Sequence, residues 1–149
     1  RALDIESSKN MRIPFIGGCA CGAIRYECTE SPVLMLNCHC RNCQLAGGSA
    51  FSSSVVLSAS SFSLLSGTVK HFDKRVESGN ISTQGFCANC GTPLYALTSG
   101  HPEYIGLRAV TLDDPSWFKA EANVWVVEAQ PWACMDSAIP KLERSPEEI

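Results

Sequence analysis

Gly18-Cys19-Ala20-Cys21-Gly22-Ala23-Ile24-Arg25-Tyr26-Glu27-Cys28 carries two signals at once. From Ala23 onward, Ile24, Tyr26 and Cys28 alternate with Arg25 and Glu27, which is the period of a half-buried β-strand with one apolar face. Before it stands a C-x-C-G element. Residues i and i+2 share a face of extended chain, and the glycine after them lets the two sulfurs converge past the bend.

The same rhythm continues along the chain. Short apolar runs at Val33 to Asn37, Ala50 to Leu57, Phe62 to Leu65, Val69 to Phe72, Ile81 to Phe86, Pro93 to Leu97, Tyr104 to Val110 and Val124 to Val127 are separated by Gly, Pro, Ser and Asp. That many short strands in 149 residues predict an all-β domain with one core. Helix is expected only in short pieces. One is Arg41 to Ala46, and the other is a turn after Asp114-Pro115, where Asp caps and Pro takes the first position.

Composition narrows the function. The chain is 45% apolar and 18% charged, with a formal charge of −3 and a pI near 5.6, so it lacks the positive field that gathers nucleic-acid phosphates. No nucleic-acid partner is expected. The longest uncharged stretch, Asn42 to Val69, has nine Ser and three Gly, which rules it out as an apolar span, and no membrane partner is expected. The first ten residues lack the apolar run of a secretion signal, so a cytoplasmic location is expected.

Seven of the nine cysteines fall in three tight groups: Cys19 with Cys21, Cys38 with Cys40 and Cys43, and Cys87 with Cys90. A disulfide framework suits neither the odd count nor the expected compartment. Zinc suits the spacing, because four thiolates at about 2.3 Å from one ion stand roughly 3.8 Å from each other. The C-x2-C-G knuckle at Cys87 to Gly91 and the C-x-C pair at Cys19 and Cys21 can together close one site, whose expected role is to hold the fold. Cys38, Cys40 and Cys43 offer three thiolates, the ligand number of a catalytic zinc with one open position. Cys28, Cys134 or His39 could instead complete that tetrahedron. Otherwise Cys28 and Cys134 read as small buried core residues and His39 as a side chain turned to solvent.

An open three-thiolate zinc favours soft sulfur as its incoming ligand, and a thiol bound there loses its proton and becomes a nucleophile. Weaker features carry less. Asp113-Asp114-Pro115 could supply carboxylates but has turn and cap chemistry, and Gly47-Gly48-Ser49 reads as a loop that could cradle an anion.

These pieces resemble the glutathione-dependent formaldehyde-activating enzymes, a family that also includes centromere protein V. The resemblance is carried by Gly18 to Ile24, by Cys38-x-Cys40-x2-Cys43 with Gly47-Gly48-Ser49, by Gly85-Phe86-Cys87-x2-Cys90-Gly91-Thr92-Pro93-Leu94, by Thr111 to Pro115, and by Pro131-Trp132. It implies a β-tent of several small coiled antiparallel sheets, with zinc-ribbon-like knuckles and little helix. It also implies a structural zinc on Cys19, Cys21, Cys87 and Cys90 and a catalytic zinc on Cys38, Cys40 and Cys43, two ions in all. The implied activity is that of a carbon-sulfur lyase of the S-(hydroxymethyl)glutathione synthase type, with a small-molecule thiol such as glutathione and an aldehyde such as formaldehyde as partners. No catalytic side chain beyond the open zinc site is assigned. The expected organisation is an N-terminal extension at 1–12, expected to be flexible, a zinc-binding domain at 13–141 and a charged surface tail at 142–149. The competing assignment is a zinc-stabilised binding module with two structural metals and no catalysis, for which a fourth protein ligand on the Cys38 group would decide.

Overall fold

The computed structural model describes residues 11–146, so residues 1–10 of the expected extension and 147–149 of the expected tail lie outside it. Strand is the main regular structure of the described residues. In chain order they form β1 (Phe15–Gly18), β2 (Arg25–Cys28), β3 (Leu34–Cys38), the helix α1 (Arg41–Gly47), β4 (Ser52–Ser58), β5 (Phe62–Ser66), β6 (Val69–Arg75), β7 (Ile81–Cys87), β8 (Pro93–Thr98), β9 (Tyr104–Arg108) and β10 (Ala122–Val124), joined by single-turn 3-10 helices. The all-β expectation holds, with α1 where the sequence placed it.

Two sheets result. A three-stranded sheet runs β1-β2-β5, and a seven-stranded sheet runs β10-β3-β4-β9-β8-β7-β6. Pairing is antiparallel throughout except between β10 and β3, which are parallel. Alternation assigns side chains to the faces of the large sheet. Met35, Val55, Leu57, Ile105 and Leu107 point to the main core, shared with Phe15, Ile24, Tyr26 and Cys28 of the smaller sheet and its approach. Leu34, Leu36, Cys38 and Val56 point the other way, into a second cluster with Cys43, Ala122 and Val124. The central strands are therefore covered on both faces, which explains their nearly continuous apolar runs.

Three local findings refine the strand reading. β1 had no alternating signature, because two of its four residues are glycine. Gly17 is required there, since an added Cβ would stand 2.3 Å from both the Thr111 carbonyl oxygen and the Tyr26 hydroxyl. The run expected over Val124 to Val127 becomes the short β10 followed by a 3-10 turn at Val126–Glu128. Its backbone is bonded to the tail through Leu142 N to Asn123 O at 2.8 Å and Trp125 N to Arg144 O at 3.2 Å.

Asp114 caps the turn Pro115–Trp117 as its sequence suggested, accepting from Ser116 N at 3.1 Å. Asp113 is held by Arg25 through a forked pair, at 2.9 Å and 2.5 Å, that ties the β2 strand to this turn. Both carboxylates are thus engaged in holding the turn.

Gly17→Ala should cost about 2–3 kcal/mol by forcing β1 away from Thr111. Tyr26→Phe, which loses only the 2.8 Å hydroxyl bond to Thr111 Oγ1, should cost about 1 kcal/mol. Urea unfolding of both variants checks this, and the double variant should show no rescue, because a backbone oxygen still blocks the added methyl.

Candidate metal centres

Chain segments distant in sequence meet at the first cysteine group. Cys19 and Cys21 lie on the bend between β1 and β2, Cys87 ends β7, and Cys90 lies on the turn into β8. Their four sulfurs all stand within 4.8 Å of one another, with 3.5 Å between Cys19 and Cys21 and 3.9 Å between Cys21 and Cys87. These spacings bracket the roughly 3.8 Å edge of a zinc-thiolate tetrahedron. Gly22 and Gly91 turn the two loops at φ +81° and +79°, a region open to glycine.

Backbone N–H groups converge on the sulfurs, as a thiolate requires. Ile24 N donates to Cys19 Sγ at 3.2 Å, and Asn89 N and Cys90 N donate to Cys87 Sγ at 3.3 Å and 3.4 Å. The Asn89 side chain adds a bond to Cys21 Sγ at 3.2 Å. Cys90 is brought down to about 5, first by the Thr92 hydroxyl at 3.1 Å and then by backbone bonds. Thr92 also accepts from Ala20 N at 3.1 Å, so one hydroxyl joins both loops.

The second group sits at a strand-to-helix corner. Cys38 ends β3, Cys40 caps α1 by accepting from Cys43 N at 3.3 Å, and Cys43 lies in the first turn of the helix. Cys38 and Cys40 sulfurs are 3.5 Å apart, and all three fall within 4.8 Å of one another. Cys43 is held well below the usual thiol range, first by Cys38 and Cys40, with Arg108 adding to the effect against the cost of burial. Cys38 is pushed well above it by Cys40 and Cys43 and by burial.

None of the three suggested completing ligands joins this group among the described residues. Cys28 is buried in the main core, as expected of a small apolar residue, and burial pushes it up to about 12. Cys134 was expected in the core but is exposed, because its segment runs over the surface after the last 3-10 turn. His39 was expected at solvent but is fully buried, its Nε2 2.8 Å from Asn123 Oδ1 and its ring against Phe51. All nine cysteines are free thiols. Gly48, in the loop suggested for an anion, serves as the C-cap of α1, with its N–H on Gln44 O at 2.8 Å.

Several supporting residues were not singled out from sequence. Gln44, buried on α1, donates from Nε2 to His39 O at 2.6 Å and Glu128 O at 3.1 Å, and so locks the helix onto the corner that carries the sulfurs. Arg108, at the end of β9, reaches Cys43 Sγ at 3.9 Å and bonds Gln84 Oε1 at 2.5 Å. Its only sequence signal was a cation closing an apolar strand. A cavity of about 290 Å³ is lined by Asn42 and Leu45 of α1, by Phe72 and Lys74 of β6, by Gln84 and Phe86 of β7, and by Gly91 and Pro93; none of the cysteines lines it, and Asn42, next to Cys43, and Gly91, next to Cys90, bring it between the two groups.

The model of a family described as glutathione-dependent formaldehyde-activating enzyme matches residues 14–128. A crystal structure of a Rhodobacter sphaeroides protein superposes with a TM-score of 0.55, covering 85% of this chain and 98% of that chain at 15% identity. At that identity the likeness is one of fold. No helix among the described residues is long and apolar enough to cross a membrane.

Brief alkylation of the native protein near pH 8 should label Cys134 and leave Cys28 unlabelled, read by peptide mass spectrometry. Equal labelling of the two would contradict the burial assigned to Cys28.

Proposed function

Because the chain belongs to the glutathione-dependent formaldehyde-activating enzyme family, we propose that it is a zinc enzyme of the carbon-sulfur lyase class that joins the thiol of glutathione to formaldehyde. The observation that carries this reading is a group of three cysteines that no fourth Cys, His, Asp or Glu joins among the described residues, while the helix that carries Cys43 also walls a cavity of about 290 Å³ through Asn42 and Leu45. Cys38, Cys40 and Cys43 would hold the catalytic zinc, and Cys19, Cys21, Cys87 and Cys90 the structural one. Their sulfur separations fit that metal and their free thiols fit a reducing cytoplasm. A zinc ion bound by the three-cysteine group would lower the pKa of an incoming thiol so that it reacts as thiolate.

The chain's own residues supply position. Gln44 and the Cys40 cap hold the three sulfurs at a fixed corner, so little reorganisation is needed when a substrate arrives. Asn42 stands at the cavity wall with its Nδ2 bonded to Ser82 Oγ at 2.7 Å. Leu45, Phe72, Phe86 and Pro93 give the cavity apolar walls, and Lys74 gives it a cation for a carboxylate of glutathione. The thiol gives up its proton to solvent, the thiolate forms a C–S bond to the aldehyde carbon as the C=O electron pair moves to oxygen, and the alkoxide takes a proton from solvent to give S-(hydroxymethyl)glutathione.

Cys40→Ser should abolish adduct formation above the uncatalysed rate, followed by NMR, and lower bound zinc from two equivalents to one while the fold survives. Cys87→Ser should lose cooperative unfolding altogether. Full turnover by Cys40→Ser would refute the catalytic zinc. Lys74→Ala should raise the KM for glutathione about fivefold with kcat unchanged, the loss expected for one charge-assisted contact of roughly 1 kcal/mol.

A further inference from the structure

Arg108 is 4% exposed, yet no carboxylate lies within ion-pair distance of it among the described residues. Among the described residues, Arg25 pairs with Asp113 and His101 contacts Glu103 elsewhere on the surface. An unbalanced buried guanidinium is costly by several kcal/mol, so a negative charge is expected close by. Its acceptors are the Ser52 hydroxyl, the Gln84 amide oxygen and Cys43 Sγ, and of these only the sulfur becomes an anion. Strand register puts these groups together. Cys38 pairs with Ser52 across β3 and β4, and Ser54 pairs with Arg108 across β4 and β9, so Cys38, Ser52 and Arg108 share one face of the large sheet.

Charge counting makes the placement purposeful. Three thiolates around a divalent ion leave one negative charge in excess, and the guanidinium neutralises it inside the protein. A fourth, external thiolate would then restore a single excess charge instead of creating a double one. Gln84 links this arrangement to the cavity, since it lines the wall while holding Arg108 Nη2 at 2.5 Å. We propose that Arg108 is a positioning residue, the buried counter-cation of the Cys38, Cys40 and Cys43 thiolates, which lets that metal site fill and accept an anionic sulfur. The last clause rests on the enzyme reading above; the counter-cation role stands without it.

The test uses the full chain loaded with cobalt(II), whose thiolate charge-transfer bands report each site, in wild type, Arg108→Met and Arg108→Lys. Arg108→Met should weaken cobalt binding at the three-cysteine site about 10- to 100-fold, the usual loss when a group supporting metal ligands is removed. The four-cysteine site should keep its affinity. Arg108→Lys, which keeps the charge but not the fork, should recover most of the loss. Wild-type affinity in Arg108→Met, loss at both sites, or a lysine variant as weak as the methionine one would each overturn the counter-cation role. Adding glutathione to the cobalt protein is the separate arm. A band shift in wild type that needs about tenfold more glutathione in Arg108→Met supports the acceptance of an anionic sulfur. A wild-type spectrum that glutathione leaves unchanged refutes that acceptance and the enzyme reading together, while the affinity measurements still decide the counter-cation.

Discussion

Four sulfurs within 4.8 Å of one another, drawn from the bend before β2 and from the β7 to β8 turn, join the three-stranded sheet to the seven-stranded one. Thiolates so close repel each other unless a cation or a set of donors intervenes, so the junction is as strong as the charges that balance it. The backbone N–H groups of Ile24, Asn89 and Cys90 provide part of that balance before any ion does. The rest of the fold is arranged on this junction. Tyr26 and Cys28 follow Cys21 into the main core, and Leu94 and Tyr95 follow Cys90 into the same core from the other sheet.

The second group depends on a different constraint, the two-sidedness of the large sheet. Because β3, β4 and β9 bury both faces, alternation splits their side chains between the main core and a second cluster that holds Cys38 and Cys43. Serine and arginine are tolerated on the Cys38 side because Ser52, Gln84 and Cys43 give the guanidinium Nη1 and Nη2 partners, while Nε has none among the described residues. On the main-core side the same strands present Val55, Leu57 and Leu107, which offer a cation no acceptor.

Spacing made both cysteine groups legible, since C-x-C and C-x2-C bring sulfurs together through local geometry. The alternating run Ile24, Tyr26, Cys28 was legible for the same reason, and all three are fully buried. What escaped was whatever depended on distant contacts. His39 lies between two metal-ligand candidates, and only the approach of Asn123 and Phe51 draws it inside. Cys134 has the composition of a core residue, and only the path of its segment over the surface exposes it.

By itself, the sequence determined the strand rhythm, the short helix after Cys40 and the seven sulfurs that gather in two groups, because each rests on residues a few positions apart. Tertiary structure alone decided that no other cysteine or histidine among the described residues approaches the Cys38 group and that Arg108 does. Such partners come from strands paired across the sheet, and their register is fixed by packing energy summed over many residues, which no local spacing records.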